Sequence, residues 1–261
     1  MVSLSLCRLL AFRGRNRSAR RRWEYIGWDR ADAYRMMDGS GSESELRRRG
    51  ADMAGRLVAA LAIGVEHTVL EVGCGVARVG RELAPSCRSY HGVDLSRSLL
   101  AHARRRTAHL RQVTFSHLAG EGLDGLTTTF DRVVCHLVLL HVQKEDVQRL
   151  LSGFARVLAP AGAVYFDLWN IEHADACALW RAERDDPRVR RQPNRSRFYT
   201  VGEVTRWMEA AGLTAVWLGH DSFLIQAVAM RADAEPTARC ALSTTLAQKA
   251  HRLVPRGHLE F

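Results

Sequence analysis

"VLEVGCGVARVG", residues 69–80, is an apolar run that stops at an acid and then turns through two glycines in three residues. Together with His67 and Thr68 it reads as a buried β-strand, and the glycines as the turn that delivers the chain into a helix expected over about 76–84. Such a loop lets backbone approach a ligand closely, and the helix start offers free N–H groups. Its chemistry departs from dinucleotide binding. The pattern G-x-G-x-x-G counted from Gly73 asks for glycine at position 78, where the chain has Arg78, and that side chain would obstruct a pyrophosphate. Glu71, two residues before Gly73, repels phosphate and suits a cationic or amine-bearing ligand.

Outward from this turn the pattern alternates as a parallel sheet requires. Residues 45–62 have apolar positions at helical spacing and precede the first strand. "SYHGVDL" (89–95), "QVTFSHLA" (112–119), "FDRVVCHLVL" (130–139) and "AVYFDLW" (163–169) read as the next four strands, with helices over 96–106 and about 143–157. Pro160 and Gly162 mark the end of the latter helix. Residues 171–198, with Pro187, Pro193 and seven arginines, break the rhythm and read as an insertion over the sheet. Regularity returns with Thr200 and Glu203 as a capping box and Gly212 as the helix stop. "TAVWLG" (214–219) and "FLIQAVAM" (223–230) follow so closely on one another that they imply an antiparallel hairpin.

Composition narrows the class. With 261 residues, 47% hydrophobic and 25% charged, the chain has an ordinary globular balance and room for one sizeable α/β core. No stretch approaches the roughly 18 apolar residues of a membrane span, so a soluble, cytoplasmic protein is expected. The six cysteines include no Cys-x-x-Cys pair and no zinc spacing, which implies reduced thiols and no metal. Two lysines stand against 36 arginines, a bias that points to a GC-rich bacterial source. Seven of the arginines, with no acid, lie in residues 1–23, so the charge of +10 falls to +3 without that arm. The arm reads as a solvated terminus, with a phosphate backbone or an anionic surface as the competing partner. The expected organisation is a basic arm and aromatic cap over 1–40, one domain over 41–232, and a loose tail over 233–261. Within that tail "LVPRG" (253–257) is identical to a thrombin cleavage linker and reads as a vector scar.

A second acid completes the ligand's outline. Asp94, at the end of the second strand and 21 residues past Gly73, stands where a carboxylate takes ribose hydroxyls, with Leu95 as an apolar edge for a base. Each charge-assisted hydrogen bond of this kind is worth roughly 1.5–3 kcal/mol. Two acids and a glycine turn therefore ask for a ligand with an amine, a sulfonium and a ribose.

"VLEVGCGVARVG", "VDLS", "FDRVVCHLVLLHV" and "FARVLAPAGAVYF" resemble, in order and spacing, the motifs of the class I S-adenosylmethionine-dependent methyltransferases, over about residues 45–230. Arg78 and the upstream "RRWEYIGWDRADAYRMMDG" are similar to the bacterial small-molecule branch with a GCGxGR motif. The resemblance implies a Rossmann-like, doubly wound α/β fold with a seven-stranded sheet, mostly parallel with a C-terminal antiparallel hairpin. It implies S-adenosylmethionine as cofactor and a small-molecule acceptor methylated on oxygen or nitrogen. Glu71 would hold the methionine amine, Gly73, Cys74, Gly75 and Arg78 would border the methionine moiety, and Asp94 and Leu95 would bind the adenosine. Cys135 would line the methyl-donor pocket. Ala119 replaces the usual Asp or Asn for the adenine amine, leaving Gly120 and Glu121 to serve it. Ala77 replaces a third glycine, a mild change.

Methyl transfer is largely a matter of positioning, worth roughly 7–11 kcal/mol, and a base adds about 10²–10⁴-fold where the acceptor carries a proton. His136 and His141 are the candidate bases, with structural histidines as the competing reading. Asp167 and Asn170 stand at the pocket edge, and strand-end capping is their alternative. Trp23, Tyr25, Trp28 and Tyr34 form either a lid over the cofactor, with Tyr25 and Trp28 touching substrate, or the apolar face of a docked helix. An RNA methyltransferase using the arm and the Arg181–Arg197 stretch, and a non-catalytic cofactor-binding subunit, stay open beside this reading. The aromatics are not interleaved with the basic runs, which argues against RNA.

Overall fold

A computed structural model describes residues 19–118, 120 and 122–249. The first strand, β1 (Thr68–Val72), lies inside the sheet because both of its faces are apolar: all but its first residue are buried. It pairs in parallel with β2 (Ser89–Asp94) on one side and β4 (Phe130–Cys135) on the other. Beyond these lie β3 (Val113–His117) and β5 (Leu158–Asn170), also parallel. β8 (Leu224–Arg231) runs antiparallel to β5, and β7 (Leu213–Gly219) antiparallel to β8 at the edge. The order is β3-β2-β1-β4-β5-β8-β7. Strand order reverses between β1 and β4, so the carboxyl ends of β1, β2 and β4 border a crevice. The expected seven-strand path is present, and a two-residue strand the sequence reading missed, β6 (Phe198–Tyr199), pairs with the end of β5 to make eight.

Two apolar layers sandwich this sheet. Alternation sends Leu70, Val72, Val133, Cys135 and Phe166 to one face, covered by Val147, Leu151, Phe154, Val204 and Met208. Those covering residues belong to helices over Lys144–Val157 and Val201–Ala210, the latter opened by the expected Thr200/Glu203 capping box. Val69, Tyr90, Val134 and Tyr165 go to the other face, under Met53 and Leu57 of the helix Glu43–Ala60.

Several elements differ from expectation for local reasons. The helix after the glycine turn covers only Gly80–Leu83, because Gly73, Gly75 and Ala77 all take positive φ (+73°, +53° and +55°) and hold the chain in turns. Strand β4 stops at Cys135 rather than 139, because Leu137 sits at φ +58° and a short 3-10 turn, Leu139–His141, follows. Strand β3 stops at His117. The insertion carries helices Ala174–Asp185 and Pro187–Arg190. Part of the supposed loose tail is the helix Pro236–Lys249, which puts Leu242 and Leu246 into the second layer. The first 18 residues of the basic arm, Glu121, and the "LVPRG" segment lie outside the described residues. The rest of the arm is helical, Ala19–Ile26, with Arg22 buried while Arg20 and Arg21 stay exposed. No helix among the described residues is long and apolar enough to cross a membrane.

Candidate functional site

The glycine loop is pinned to the second strand rather than left open. Gly73 and Cys74 both donate their N–H to Val93 O, at 2.8 and 3.0 Å. Asp94, buried at the tip of β2, accepts from the N–H groups of Gly75 (2.9 Å) and Ser96 (2.8 Å). Burial raises its carboxyl to about 6, with the Ser96 and Gly75 N–H groups pulling the other way. Each carboxylate oxygen has a second lone pair to offer, so an acceptor pair for hydroxyl donors is already aligned. A side chain at Gly73 would place Cβ 2.3 Å from Val138 Cγ2, and one at Gly75 2.7 Å from Met37 Sδ. Only glycine gives the loop this shape.

Glu71 lies under the loop. It accepts from Tyr90 OH at 2.5 Å, and burial raises its carboxyl to about 7 against that bond, the Arg78 charge and a Gly80 N–H contact. It is thus an internal anchor of the loop, and a ligand amine would have to share its carboxylate. Arg78 contributes charge to that anchor, and its carbonyl sits where a Cβ on Gly50 would come within 2.2 Å. Cys74 and Cys135 are buried, their thiols are pushed upward by desolvation, and Cys135 packs in the first apolar layer. Leu95 is half-buried and accepts at its carbonyl from His117 Nε2 (3.0 Å), while Gly120 is open to solvent.

The N-terminal helices cover this crevice. Glu24 caps the helix Arg97–Arg106 by accepting from Arg97 and Ser98 N–H, and Ser96 Oγ donates to Trp23 O. Trp23 then meets His141 edge to face, ring centroids 5.2 Å apart. Tyr34 and Met37 pack with Val76 over the loop. The inward residues are therefore Trp23, Tyr34 and Met37. Trp28 is 71% exposed with Tyr25 against its ring, so the structure does not bring this pair, expected at the substrate, to the crevice.

The two histidines separate. His141 pairs Nδ1 with Asn194 O (2.8 Å), and burial drives it down to about 4, so it is a neutral packing histidine under Trp23. His136, immediately past β4, sets Nδ1 2.5 Å from Asp167 Oδ2, and no described residue hydrogen-bonds its Nε2. Asp167 is wholly buried and also accepts from Leu137 N–H (2.7 Å) and Tyr165 OH (2.9 Å). The sequence reading had both residues but not their partnership. It follows from the register Cys135↔Phe166, which places the next residue of each strand side by side. Asn170 is a clamp: its amide donates to His220 O and Ser222 O and accepts from Glu172 N–H, which leaves little for a substrate. Asn194 Oδ1, in contrast, is buried with no hydrogen-bond partner among the described residues.

Comparison with known proteins follows the same geometry. Residues 69–162, from β1 into β5, match the family described as "Methyltransferase domain". The chain is 34% identical over 118 residues to a thiol S-methyltransferase of Homo sapiens, covering 43% of this chain and 46% of that protein. It is 33% identical over 104 residues to the ubiquinone biosynthesis O-methyltransferase of Idiomarina loihiensis, covering 39% and 42%. The chain thus spans less than half the length of these curated relatives. Among solved structures, it is similar in fold to magnesium protoporphyrin IX methyltransferase of Synechocystis PCC 6803 with bound SAH. The TM-score is 0.61 at 19% identity, over 79% of this chain and 96% of that one.

Proposed function

We propose that the chain, whose residues 69–162 match a methyltransferase-domain family, is a class I S-adenosylmethionine-dependent methyltransferase that transfers a methyl group from S-adenosylmethionine to a small molecule. The observation that carries this reading is the Asp94 carboxylate at the tip of β2, held by Gly75 and Ser96 N–H groups and facing the glycine turn. The residues fit the cofactor in shape and charge. Glycines at φ +73° and +53° keep side chains out of the loop. The acids Glu71 and Asp94, raised to about 7 and about 6 by burial, are groups that a bound cation would return to the ionised form. Bound there, S-adenosylmethionine supplies an electrophilic methyl on a sulfonium.

Asp94 and Leu95 would hold the adenosine, with Gly120 near the base. Gly73, Cys74, Gly75 and Cys135 would border the methionine, and Glu71 and Arg78 would set the charge beneath it. Trp23, Tyr34 and Met37 exclude water from above. A small acceptor suits this cover better than RNA. Of the described arginines of the arm, Arg22 is buried and only Arg20 and Arg21 face solvent. Relatives named as a thiol S-methyltransferase and a ubiquinone biosynthesis O-methyltransferase lend further support to a small acceptor.

The test is isothermal titration with S-adenosylmethionine, S-adenosylhomocysteine and NAD in parallel, on the wild type and on Asp94→Ala. Micromolar binding of the first two, none of NAD, and loss in Asp94→Ala is the expected result. Equal affinity in Asp94→Ala would remove the site assignment, and silence toward both adenosyl ligands would remove the function.

A further inference from the structure

The hydrogen bonds behind His136 form a chain whose direction is fixed. Gln226 Nε2 can only donate, and it donates to Tyr165 OH at 2.8 Å. Tyr165 OH, whose titration burial pushes far upward, therefore donates onward to Asp167. The Leu137 N–H, which also can only donate, takes the other Asp167 oxygen at 2.7 Å. A carboxylate wholly out of solvent that meets these donors is an acceptor, so the Nδ1 of His136 carries the proton it shares with Asp167. Nε2 is left as a bare lone pair, on a ring only 10% exposed, at the carboxyl edge of β4. Leu137 is held at φ +58° to make this arrangement. For a non-glycine residue that conformation costs about 1–2 kcal/mol, and such strain collects at functional sites.

An aromatic surface begins at the same turn. Leu137 packs into a cluster with Trp169, Phe198 and Phe223, with Trp169 5.5 Å from Phe223 and 6.3 Å from Phe198 between ring centroids. Phe198 and Phe223 are only partly buried. A flat apolar acceptor is the natural complement to such a wall.

We infer that His136 is the catalytic base for methylation of an aromatic hydroxyl, with Asp167 and Tyr165 as positioning residues behind it. This rests on the methyltransferase reading above. The hydroxyl oxygen gives a lone pair to the methyl carbon while the electrons of the carbon–sulfur bond stay on sulfur, and the hydroxyl proton passes to His136 Nε2. The imidazolium so formed lies against the Asp167 carboxylate, which offsets its charge. A phenol, with a pKa of about 10, holds its proton at neutral pH and gains fully from a base. A thiol, near 8.5, is partly ionised already and gains less. A substrate ammonium would want a free carboxylate, and Asp167 is engaged by three donors.

The test uses three acceptors on one ring system, a naphthol, a naphthalenethiol and a naphthylmethylamine, with labelled S-adenosylmethionine and the full chain. His136→Asn keeps a donor toward Asp167 and removes the base. The expected result is preferred transfer to the naphthol. His136→Asn should lower kcat/KM by about 10²–10⁴-fold and abolish the acidic limb of its pH profile, while calorimetric affinity for S-adenosylhomocysteine stays within twofold or so of wild type. Nitrogen NMR of the histidines gives a readout independent of turnover: His136 should be protonated at Nδ1, and that preference should fade in Asp167→Asn. If Asp167→Asn does not fold, the wild-type spectrum alone decides the tautomer. Preference for the thiol or amine, transfer to none of the three by protein that binds the cofactor, full activity in His136→Asn, or an Nε2-protonated His136 would each overturn the inference. Absence of adenosyl-ligand binding would instead sink the methyltransferase reading, with the tautomer still deciding whether the chain of donors is as described.

Discussion

Gly73→Ala probes the joint between the glycine loop and the turn after β4. Gly73 sits at φ +73°, where an L-residue costs about 1–2 kcal/mol. Its new Cβ would fall 2.3 Å from Cγ2 and 2.9 Å from Cγ1 of Val138, a stiff side chain that cannot swing aside. Overpacking of this kind costs about 1–3 kcal/mol. The lost chain entropy of glycine in the unfolded state returns about 0.4–1 kcal/mol. The net loss should be about 1–5 kcal/mol, read from urea unfolding at constant m. Val138→Ala alone should cost about 1–2 kcal/mol for two partly buried methyl groups. In the double variant both methyl groups are gone and only the Cβ of residue 138 remains, 3.2 Å away, so most of the clash is relieved and the two losses should fall short of adding by about 1–3 kcal/mol. Additivity to within about 0.5 kcal/mol would show that Val138 does not press on the loop, and the joint as described would be wrong.

Other perturbations reach the remaining parts. Glu71 and Asp94 have carboxyls raised from 4.5 to about 7 and from 3.8 to about 6. The stability they contribute is present below about pH 4 and is lost as pH rises through 6 to 7, so Glu71→Gln should flatten that fall in Tm; an unchanged profile counts against a buried anchor. His141 is lowered from 6.5 to about 4, the opposite case: its contribution is present above 6.5 and lost toward 4, and His141→Asn should remove this acid-side loss in the same scan. Leu246→Ala should cost about 2–5 kcal/mol in urea unfolding, since Leu246 is 1% exposed in the second apolar layer; a loss under about 0.5 kcal/mol would mean the last helix is not part of the fold.

The sheet was legible because its signals are local and repeated. Apolar runs such as Val69–Val72 end in turns, and the Thr200/Glu203 box and the Gly212 stop are short-range rules that tertiary contacts had no reason to overturn. What was missed depends on conformation at single residues. Nothing in their side chains announces that Ala77 and Leu137 adopt positive φ, yet these two residues delay a helix and cut a strand short. β6 is only two residues long and exists because the insertion returns to β5, with Ile171 N–H donating to Tyr199 O. The last helix was hidden by composition: small and polar residues dominate it, and only Leu242 and Leu246 are deeply buried.

The site was legible in the same uneven way. Glu71, Gly73, Gly75 and Asp94 could be read because two glycines and two acids at strand ends are a pattern in one dimension. The partnership of His136 with Asp167 is not, since 31 residues separate them and only the parallel register of β4 on β5 sets them together. One consequence reaches beyond recognition. The loop and Asp94 depend on backbone N–H groups and on the absence of side chains, so substitutions there should act mainly through cofactor affinity. The His136 chain instead depends on Tyr165 and Gln226, which lie on β5 and β8 and are paired to different partners from those of β2. Gln226→Leu removes the donor that orients Tyr165 and leaves the glycine loop untouched. It should lower kcat while S-adenosylhomocysteine affinity is retained, and a matching fall in both would mean that the two halves of the crevice are not independent.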